Sequence, residues 1–352
     1  ELAGRTEEIS EPFVRHQDRA MYFRQHGEAY GMGSYLHEPM LVAPEDILGH
    51  EEAPISPAEV AFTPSHFRPA LLAAGEVMPA LKDAPLDYSF NGMFSFTTDG
   101  FPVLGESPQV RGFWSAQAVW ITHSGGVGKA VAEWIVDGRT SVDLRESDIT
   151  RFHPHAYSGE YIRERSSQQY REVYDIIHPL QPPTKARGLR LSPYWLRQKE
   201  MGAVFFENTG WERPHWFEAN QSLLDDLAGP GTNRSGWEAR EWSPIVSAEH
   251  RATRERVALF DLTPFMKLDV TGPGALIFLQ RLTANDVNRP PGRVTYTAML
   301  DFQGRIKCDL TVTRLAENRF MVVTGGAMGL HDMGWMRRNM PDDGSVTITD
   351  VS

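Results

Sequence analysis

The sequence predicts an α+β, multi-domain protein. Three observations predict it. The chain has 352 residues, enough for two or three domains with cores of their own. Segments of period-two alternation and segments of helical apolar spacing are interleaved near both ends. Between them, residues 140–245 are rich in Pro, Trp, Arg and His and interrupt both patterns, as a small separate domain or a long connecting module would. These changes of texture divide the chain at residues 1–145, 146–245 and 246–352.

Residues 18–42 read as a strand pair: Ala20 to Arg24, a turn at His26-Gly27-Glu28, then Tyr30 to Tyr35. Residues 66–83 carry helical spacing, and Pro79 limits the far end. Phe90 to Phe96 alternates with small residues as a strand does, Asp99-Gly100-Phe101-Pro102 turns the chain, and Gly112 to Val119 reads as another strand. A small-residue turn from Thr122 to Lys129 then leads into a helix ending near Gly138. Val127, Ala130, Val131, Trp134 and Ile135 share one face of that helix. In the middle segment, breaks are expected at His178 to Pro183 and at Gly229-Pro230-Gly231, and Trp211 to Phe217 reads as a rigid domain-joining turn. Beyond residue 246 the spacing predicts a strand from Met266 to Gly272 and a helix from Gly274 to Leu282. A hairpin follows, Val294 to Leu300 with Ile306 to Leu315, turning through Asp301-Phe302-Gln303-Gly304. A strand from Arg319 to Val323, a helix from Gly329 to Met340 and a strand from Val346 to Thr349 complete the series. Glu1 is not an initiator and the last pattern stops midway, so further sequence is expected on both sides.

Composition excludes several classes. Apolar residues make up 41% and charged residues 23%, as in a soluble globular protein. The balance of 35 basic and 46 acidic groups, −11 in all, argues against a nucleic-acid or anionic-membrane surface. No run approaches the ~20 apolar residues of a membrane helix. A lone cysteine, Cys308, allows no internal disulfide and suits a reducing compartment.

Few residues stand out as chemistry. The stretch Thr122 to Lys129 lacks the GxxxxGK[ST] order, which rejects a nucleoside triphosphate loop. It is either a tight turn whose glycines permit close packing, or a helix N-terminus aimed at an electron-rich ring. Unpaired backbone N–H groups there would stabilise negative charge by roughly 0.3–2 kcal/mol. Tyr22 lies on a strand beside Phe23 and either packs or acts; as a base, its ordinary pKa of ~10 would have to be lowered. Asp309, in Lys307-Cys308-Asp309-Leu310-Thr311-Val312, either faces solvent or is a buried carboxylate that needs a partner. No Ser-His-Asp or Cys-His set can be assembled, and the histidines lack metal spacing, His153 and His155 merely flanking Pro154.

The segments taken in order resemble a known family. They are Arg15-His16-Gln17-Asp18 to Arg24, Phe90-Asn91-Gly92-Met93-Phe94-Ser95-Phe96, Val119 to Val127, Gly210 to Glu218, Asp261-Leu262-Thr263-Pro264, and Thr295-Tyr296-Thr297 through Asp309. Together they resemble the dimethylglycine oxidase, dimethylglycine dehydrogenase and sarcosine dehydrogenase family. The resemblance implies a mixed-sheet substrate part of a D-amino-acid-oxidase-like FAD domain over residues 1–145. A linking domain at 146–245 and the start of an aminomethyltransferase-like folate domain at 246–352 would follow. The family's GxGxxG turn and its flavin-linking histidine are not in this sequence.

By the same resemblance, Tyr22 matches the active-site tyrosine. Val119, Trp120, Ile121, Thr122, His123 and Ser124 match the loop that meets the flavin ring, so Tyr22 and the helix opening are expected to converge on one isoalloxazine. Tyr296 lines the folate pocket with Val323 and Thr324 nearby, and Asp309 matches the acid near the pterin nitrogens. Gly325 replaces an asparagine of the aminomethyltransferases. The implied reaction is oxidative demethylation of dimethylglycine or sarcosine by FAD, Tyr22 assisting deprotonation of the amine. Tetrahydrofolate then takes the one-carbon unit as methylene-tetrahydrofolate, and oxygen or an electron-transfer flavoprotein accepts the electrons. A cytoplasmic location, or the mitochondrial matrix in a eukaryote, goes with that reading. The alternative is a folate-binding transferase or regulatory module without a redox step, which retains Tyr296 and Asp309 and makes Tyr22 structural.

Overall fold

The computed structural model describes residue 4 and residues 6–35, 37–227 and 233–352. The break expected at Gly229-Pro230-Gly231 lies outside the described residues. The chain forms two compact units, Glu1–Gly100 with Gly159–His178, and Phe101–Ser158 with Pro179–Ser352.

In the first unit, β1 (Val14–His16), β2 (Met21–His26) and β3 (Ala29–Ser34) form an antiparallel sheet in that order. The alternation of β2 decides its faces: Met21, Phe23 and Gln25 are buried, while Tyr22 and His26 point outward. Met21 and Phe23 pack on Ala70, Ala73 and Ala74. Those alanines belong to α1 (Pro64–Val77), which follows the two-residue strand β4 (Glu59–Val60). Small side chains let the helix lie close to the sheet. The buried Gln25 amide accepts from the Ser10 and Glu11 N–H groups at 2.7 and 2.9 Å, satisfying a polar group in the core.

The strand expected from Phe90 to Phe96 shrinks to β5 (Asn91–Gly92). Its partner β4 offers two residues, and the aromatics beyond Gly92 have no ladder to join.

Residues 101–158 begin the second unit. β6 (Val103–Glu106), not anticipated from the sequence, pairs with β7 (Trp114–Gln117), which is shorter than the expected strand because Ala118 turns left-handed at φ 54. Gly105 adopts φ +117, and a Cβ there would lie 2.9 Å from Trp134 Cη2. Only glycine meets both demands. Trp134 projects from α2 (Ser124–Asp137), which Gly138 closes in the left-handed region. Gly125, Gly126 and Gly128 therefore stand inside the helix, not in a turn before it. A Cβ added to any of them meets nothing within 4 Å, which overturns close packing as their reason. Of the expected face, Ala130 is buried and Val127, Val131 and Trp134 are half-buried, but Ile135 is exposed.

The first unit resumes with α3 (Gly159–Glu172), which buries Tyr161, Arg165 and Gln168. The second unit continues with α4 (Trp195–Glu200) and the hairpin of β8 (Ala203–Asn208) and β9 (Trp211–Phe217). The segment read as a joining turn is thus a strand. Pro214, which lacks an N–H, sits where the register shifts between Val204 and Phe205 and leaves His215 bulged. Next come α5 (Leu223–Leu227) and α6 (Pro244–Glu255), the latter capped by the Ser243 hydroxyl with Pro244 in its first turn.

The last elements follow the sequence spacing closely: β10 (Met266–Thr271), α7 (Ala275–Leu282), β11 (Val294–Leu300), β12 (Ile306–Ala316), β13 (Arg319–Thr324), α8 (Gly329–Arg338) and β14 (Thr347–Asp350). The five strands form an antiparallel sheet in the order β11-β12-β13-β10-β14. One face packs Leu268, Val270, Met299, Leu310, Val312, Phe320 and Val322 against Phe278 and Leu279 of α7 and Met333 and Met336 of α8. The result is an α+β, multi-domain architecture.

Candidate functional site

Tyr22 lies in an aromatic cluster of the first unit. It pairs with Gly33 across the β2/β3 ladder, and its ring covers that glycine so closely that a Cβ at Gly33 would fall 2.1 Å from Tyr22 Cζ. Tyr35, two residues on, stands 6.0 Å from Tyr22, ring centre to ring centre, and stacks on Tyr174 at 3.9 Å and 19°. Phe94 and Tyr170 approach Tyr35 at 6.0 and 6.2 Å, and the Tyr170 hydroxyl bonds His37 Nε2 at 2.9 Å. On the other side of Tyr22, Arg15 is its direct partner in the β1/β2 ladder, and the guanidinium lies 4.5 Å over the Tyr174 ring.

Burial among these rings pushes the Tyr22 phenol above its ordinary pKa, with Tyr174 adding to the effect. Tyr35 rises for the same first reason, and Tyr170 is pushed up to about 12 by burial. A tyrosinate base at Tyr22 would need the opposite shift. Its surroundings disfavour the phenolate, so at neutral pH Tyr22 offers a hydrogen-bond donor.

The loop from Val119 to Ser124 belongs to the second unit. Val119 and Trp120 are half-buried, Ile121 is 93% exposed, and Thr122, His123 and Ser124 are exposed. Ile121–His123 form a 3-10 turn, and the Ser124 hydroxyl donates to the Ile121 carbonyl at 2.8 Å as α2 begins. The opening of α2 is thus presented at a surface, where Gly125, Gly126 and Gly128 are exposed.

Tyr296, Asp309 and Val323 are brought together by register. Ala298 faces Asp309, Tyr296 faces Thr311, and Thr311 faces Val323, so Tyr296, Asp309 and Val323 lie on the sheet face opposite the core. The Tyr296 hydroxyl donates to Asp309 Oδ2 at 2.8 Å. That bond to a carboxylate raises the Tyr296 pKa. Asp309 is exposed, so the buried carboxylate is not what the fold builds at this position.

Thr324 departs from the expected set. It pairs with Leu310 and Met266 on the core face, is 2% exposed, and donates its hydroxyl to Asp332. Asp332 also meets His331 Nδ1 at 3.2 Å, and His331 Nε2 lies 3.8 Å from Asp148 Oδ2. Arg338 reaches the same Asp148 oxygen at 3.4 Å, while Asp148 Oδ1 caps the Thr150 N–H at 2.8 Å. This buried network fixes the start of α8 beneath β13. Reading the sequence missed it, since an adjacent His-Asp pair inside a helix carries no spacing signal. It also missed Tyr170, near the end of α3, and Tyr174, just beyond it, whose four-residue separation was a usable signal.

Three family models match the chain in succession: the FAD dependent oxidoreductase over residues 3–134, the FAD dependent oxidoreductase central domain over 137–192, and the GCVT N-terminal domain over 195–352. The fold and these matches define a chain in which a part similar to the FAD dependent oxidoreductase domains precedes an aminomethyltransferase-like domain. Taken in this order, the matches and the relatives that follow support the dimethylglycine dehydrogenase and sarcosine dehydrogenase family. It is similar to the 4-methylaminobutanoate oxidase (formaldehyde-forming) of Paenarthrobacter nicotinovorans, 31% identical over 92% of this chain and 38% of the relative. It is similar to the mitochondrial sarcosine dehydrogenase of Mus musculus, 30% identical over 94% of this chain and 39% of the relative. It is also similar to the mitochondrial pyruvate dehydrogenase phosphatase regulatory subunit of Mus musculus, 30% identical over 82% of this chain and 33% of the relative. The chain thus spans less than two fifths of the length of these relatives. Among the described residues no helix is long and apolar enough to cross a membrane.

Proposed function

We propose that the chain serves an oxidative demethylation of an N-methylated glycine, dimethylglycine or sarcosine, by FAD, and that the one-carbon unit passes to tetrahydrofolate. One observation carries the reading: a flavin-oxidoreductase match at residues 3–134 and an aminomethyltransferase-type match at 195–352 stand in a single chain. Residues 1–145, 146–245 and 246–352 are the proposed oxidoreductase, linking and folate-binding parts.

The residues at hand suit the two cosubstrates. The surface opening of α2, with Gly125, Gly126 and Gly128 bare of neighbours, suits the electron-rich edge of a flavin beside Val119 to Ser124. FAD, when bound, supplies the acceptor for the hydride that leaves the N-methyl carbon. Tyr22 donates a hydrogen bond that orients the amine. The substrate leaves this step as an iminium ion. Tyr296 and Asp309 hold the folate, the carboxylate drawing positive charge toward the attacking nitrogen. Val323 lines the same face. Thr324, on the core face, does not reach that face and contributes only by anchoring β13 through Asp332. Oxygen or an electron-transfer flavoprotein takes the electrons, in the cytoplasm or the mitochondrial matrix.

The similarity to a phosphatase regulatory subunit favours a second reading, a folate-binding or regulatory module without a redox step. Anaerobic mixing of the flavin-loaded protein with dimethylglycine or sarcosine separates the two. Bleaching of the flavin, with methylene-tetrahydrofolate replacing formaldehyde when tetrahydrofolate is present, is the expected result. Folate binding without bleaching by any methylated amine leaves the second reading.

A further inference from the structure

Arg15 and Tyr22 face each other in the β1/β2 ladder, which puts both side chains on one face of the sheet at neighbouring positions. The arginines nearest in sequence are committed: Arg19 to Glu76 at 3.4 Å, Arg24 to Glu8 at 3.6 Å. No carboxylate among the described residues pairs with Arg15, although the chain carries 46 acidic groups. Its guanidinium instead lies 4.5 Å above the Tyr174 ring. Stacking uses the flat face of a guanidinium and leaves its edge N–H donors, arranged as a fork, directed away from the ring. A guanidinium whose edge donors stay open in this way, directly across the ladder from Tyr22, is a receptor for a carboxylate.

We propose that Arg15, oriented by Tyr174, binds the carboxylate of the amino-acid substrate whose methylated amine meets Tyr22. The substrate class rests on the function proposed above. The carboxylate site itself rests on the ladder pairing, the stacked guanidinium and the missing acidic partner. Such a site selects amines that carry an acid group over neutral amines of the same size. It also sets the order of contacts, acid at Arg15 and amine at Tyr22, so that chain length between the two groups is read by the strand spacing of adjacent residues.

The test compares N,N-dimethylglycine with its neutral carboxamide on the flavin-loaded protein, by steady-state oxidation and by calorimetric binding, for the parent, Arg15→Gln, Arg15→Lys and Arg19→Gln. In the parent, the acid binds and reacts in preference to the amide. Arg15→Gln raises KM and Kd for the acid on the order of 10–100-fold and leaves those of the amide unchanged, so the preference collapses. Arg15→Lys recovers part of it, a point charge without the fork. Arg19→Gln leaves it intact and controls for a general loss of charge. An unaltered acid-to-amide ratio in a folded Arg15→Gln protein overturns the proposal while leaving the oxidation standing. Binding of the acid that depends on Arg15, without any flavin bleaching, overturns the oxidation and keeps the carboxylate site. A parent protein that binds acid and amide alike overturns the site.

Discussion

The Tyr296 hydroxyl and the Asp309 carboxylate meet at 2.8 Å, diagonal neighbours on the exposed face of the β11/β12 ladder. The contact couples a donor to an acceptor that keeps its second oxygen accessible. Asp309→Asn is expected to leave flavin reduction by the amine unchanged and to lower methylene-tetrahydrofolate formation about tenfold or more, formaldehyde rising in its place. The ratio of the two products measures it, and an unchanged ratio removes Asp309 from the folate step. The same substitution brings the Tyr296 phenol back down toward its ordinary titration range, which near-ultraviolet difference absorbance reads.

Gly33 leaves room for the Tyr22 ring. In Gly33→Ala the new methyl occupies the space of the phenol, 2.1 Å from Cζ as the ring now stands. Tyr22 is 45% exposed and can rotate outward, so the loss of stability is expected to stay near ~1 kcal/mol. Amine oxidation should nonetheless fall, because the donor leaves its place. Denaturant unfolding together with flavin-reduction rates separates the two effects. Full activity with a rearranged Tyr22 would show that the phenol is packing alone.

Asp332 is 1% exposed and serves both Thr324 and His331. Asp332→Ala leaves a buried hydroxyl and a buried imidazole without their shared acceptor. The expected loss is about 3 kcal/mol, seen as a lower urea midpoint. Thr324→Val, which removes one donor and conserves shape, should cost clearly less.

His153 gives the second unit a dependence on pH. The side chain is 8% exposed with Nε2 lacking a partner, and Arg190 Nη1 lies 3.1 Å from Nδ1. Burial first, then the charge of Arg190, lowers its pKa from 6.5 to about 4. The folded state therefore resists a proton that the unfolded chain accepts. Stability from this residue is complete above pH 6.5 and is lost as pH falls through about 4. The expected loss is on the order of 1–3 kcal/mol. His153→Asn should flatten that part of the profile in chemical unfolding followed across the same range. A profile identical to the parent's would contradict the assignment.

Much of the final domain was legible because its strands alternate strictly. Met266, Leu268 and Val270 point one way and Lys267 and Asp269 the other, and the pattern names the face before any partner is known. Tyr296 and Asp309 could be placed on strands for the same reason, and register then put them on one face with Val323. Where alternation failed, a partner was the missing quantity. Phe90 to Phe96 has the pattern of a strand but only a two-residue neighbour, and Trp211 to Phe217 carries a proline yet finds β8 to pair with. The position of Thr324 shows a finer limit: adjacent to Val323 in sequence, it lies on the opposite face because side chains change sides at every residue.

The sequence by itself determined most elements of the last domain and the family that the order of its segments resembles. Only the tertiary structure decided that Arg15 lies over Tyr174, that Tyr22 covers Gly33, and that Asp332 is buried while Asp309 faces outward. The reason is physical. Periodicity reports neighbours a few residues apart, whereas charge pairing, burial and pKa depend on groups that only packing brings within a few ångströms of one another.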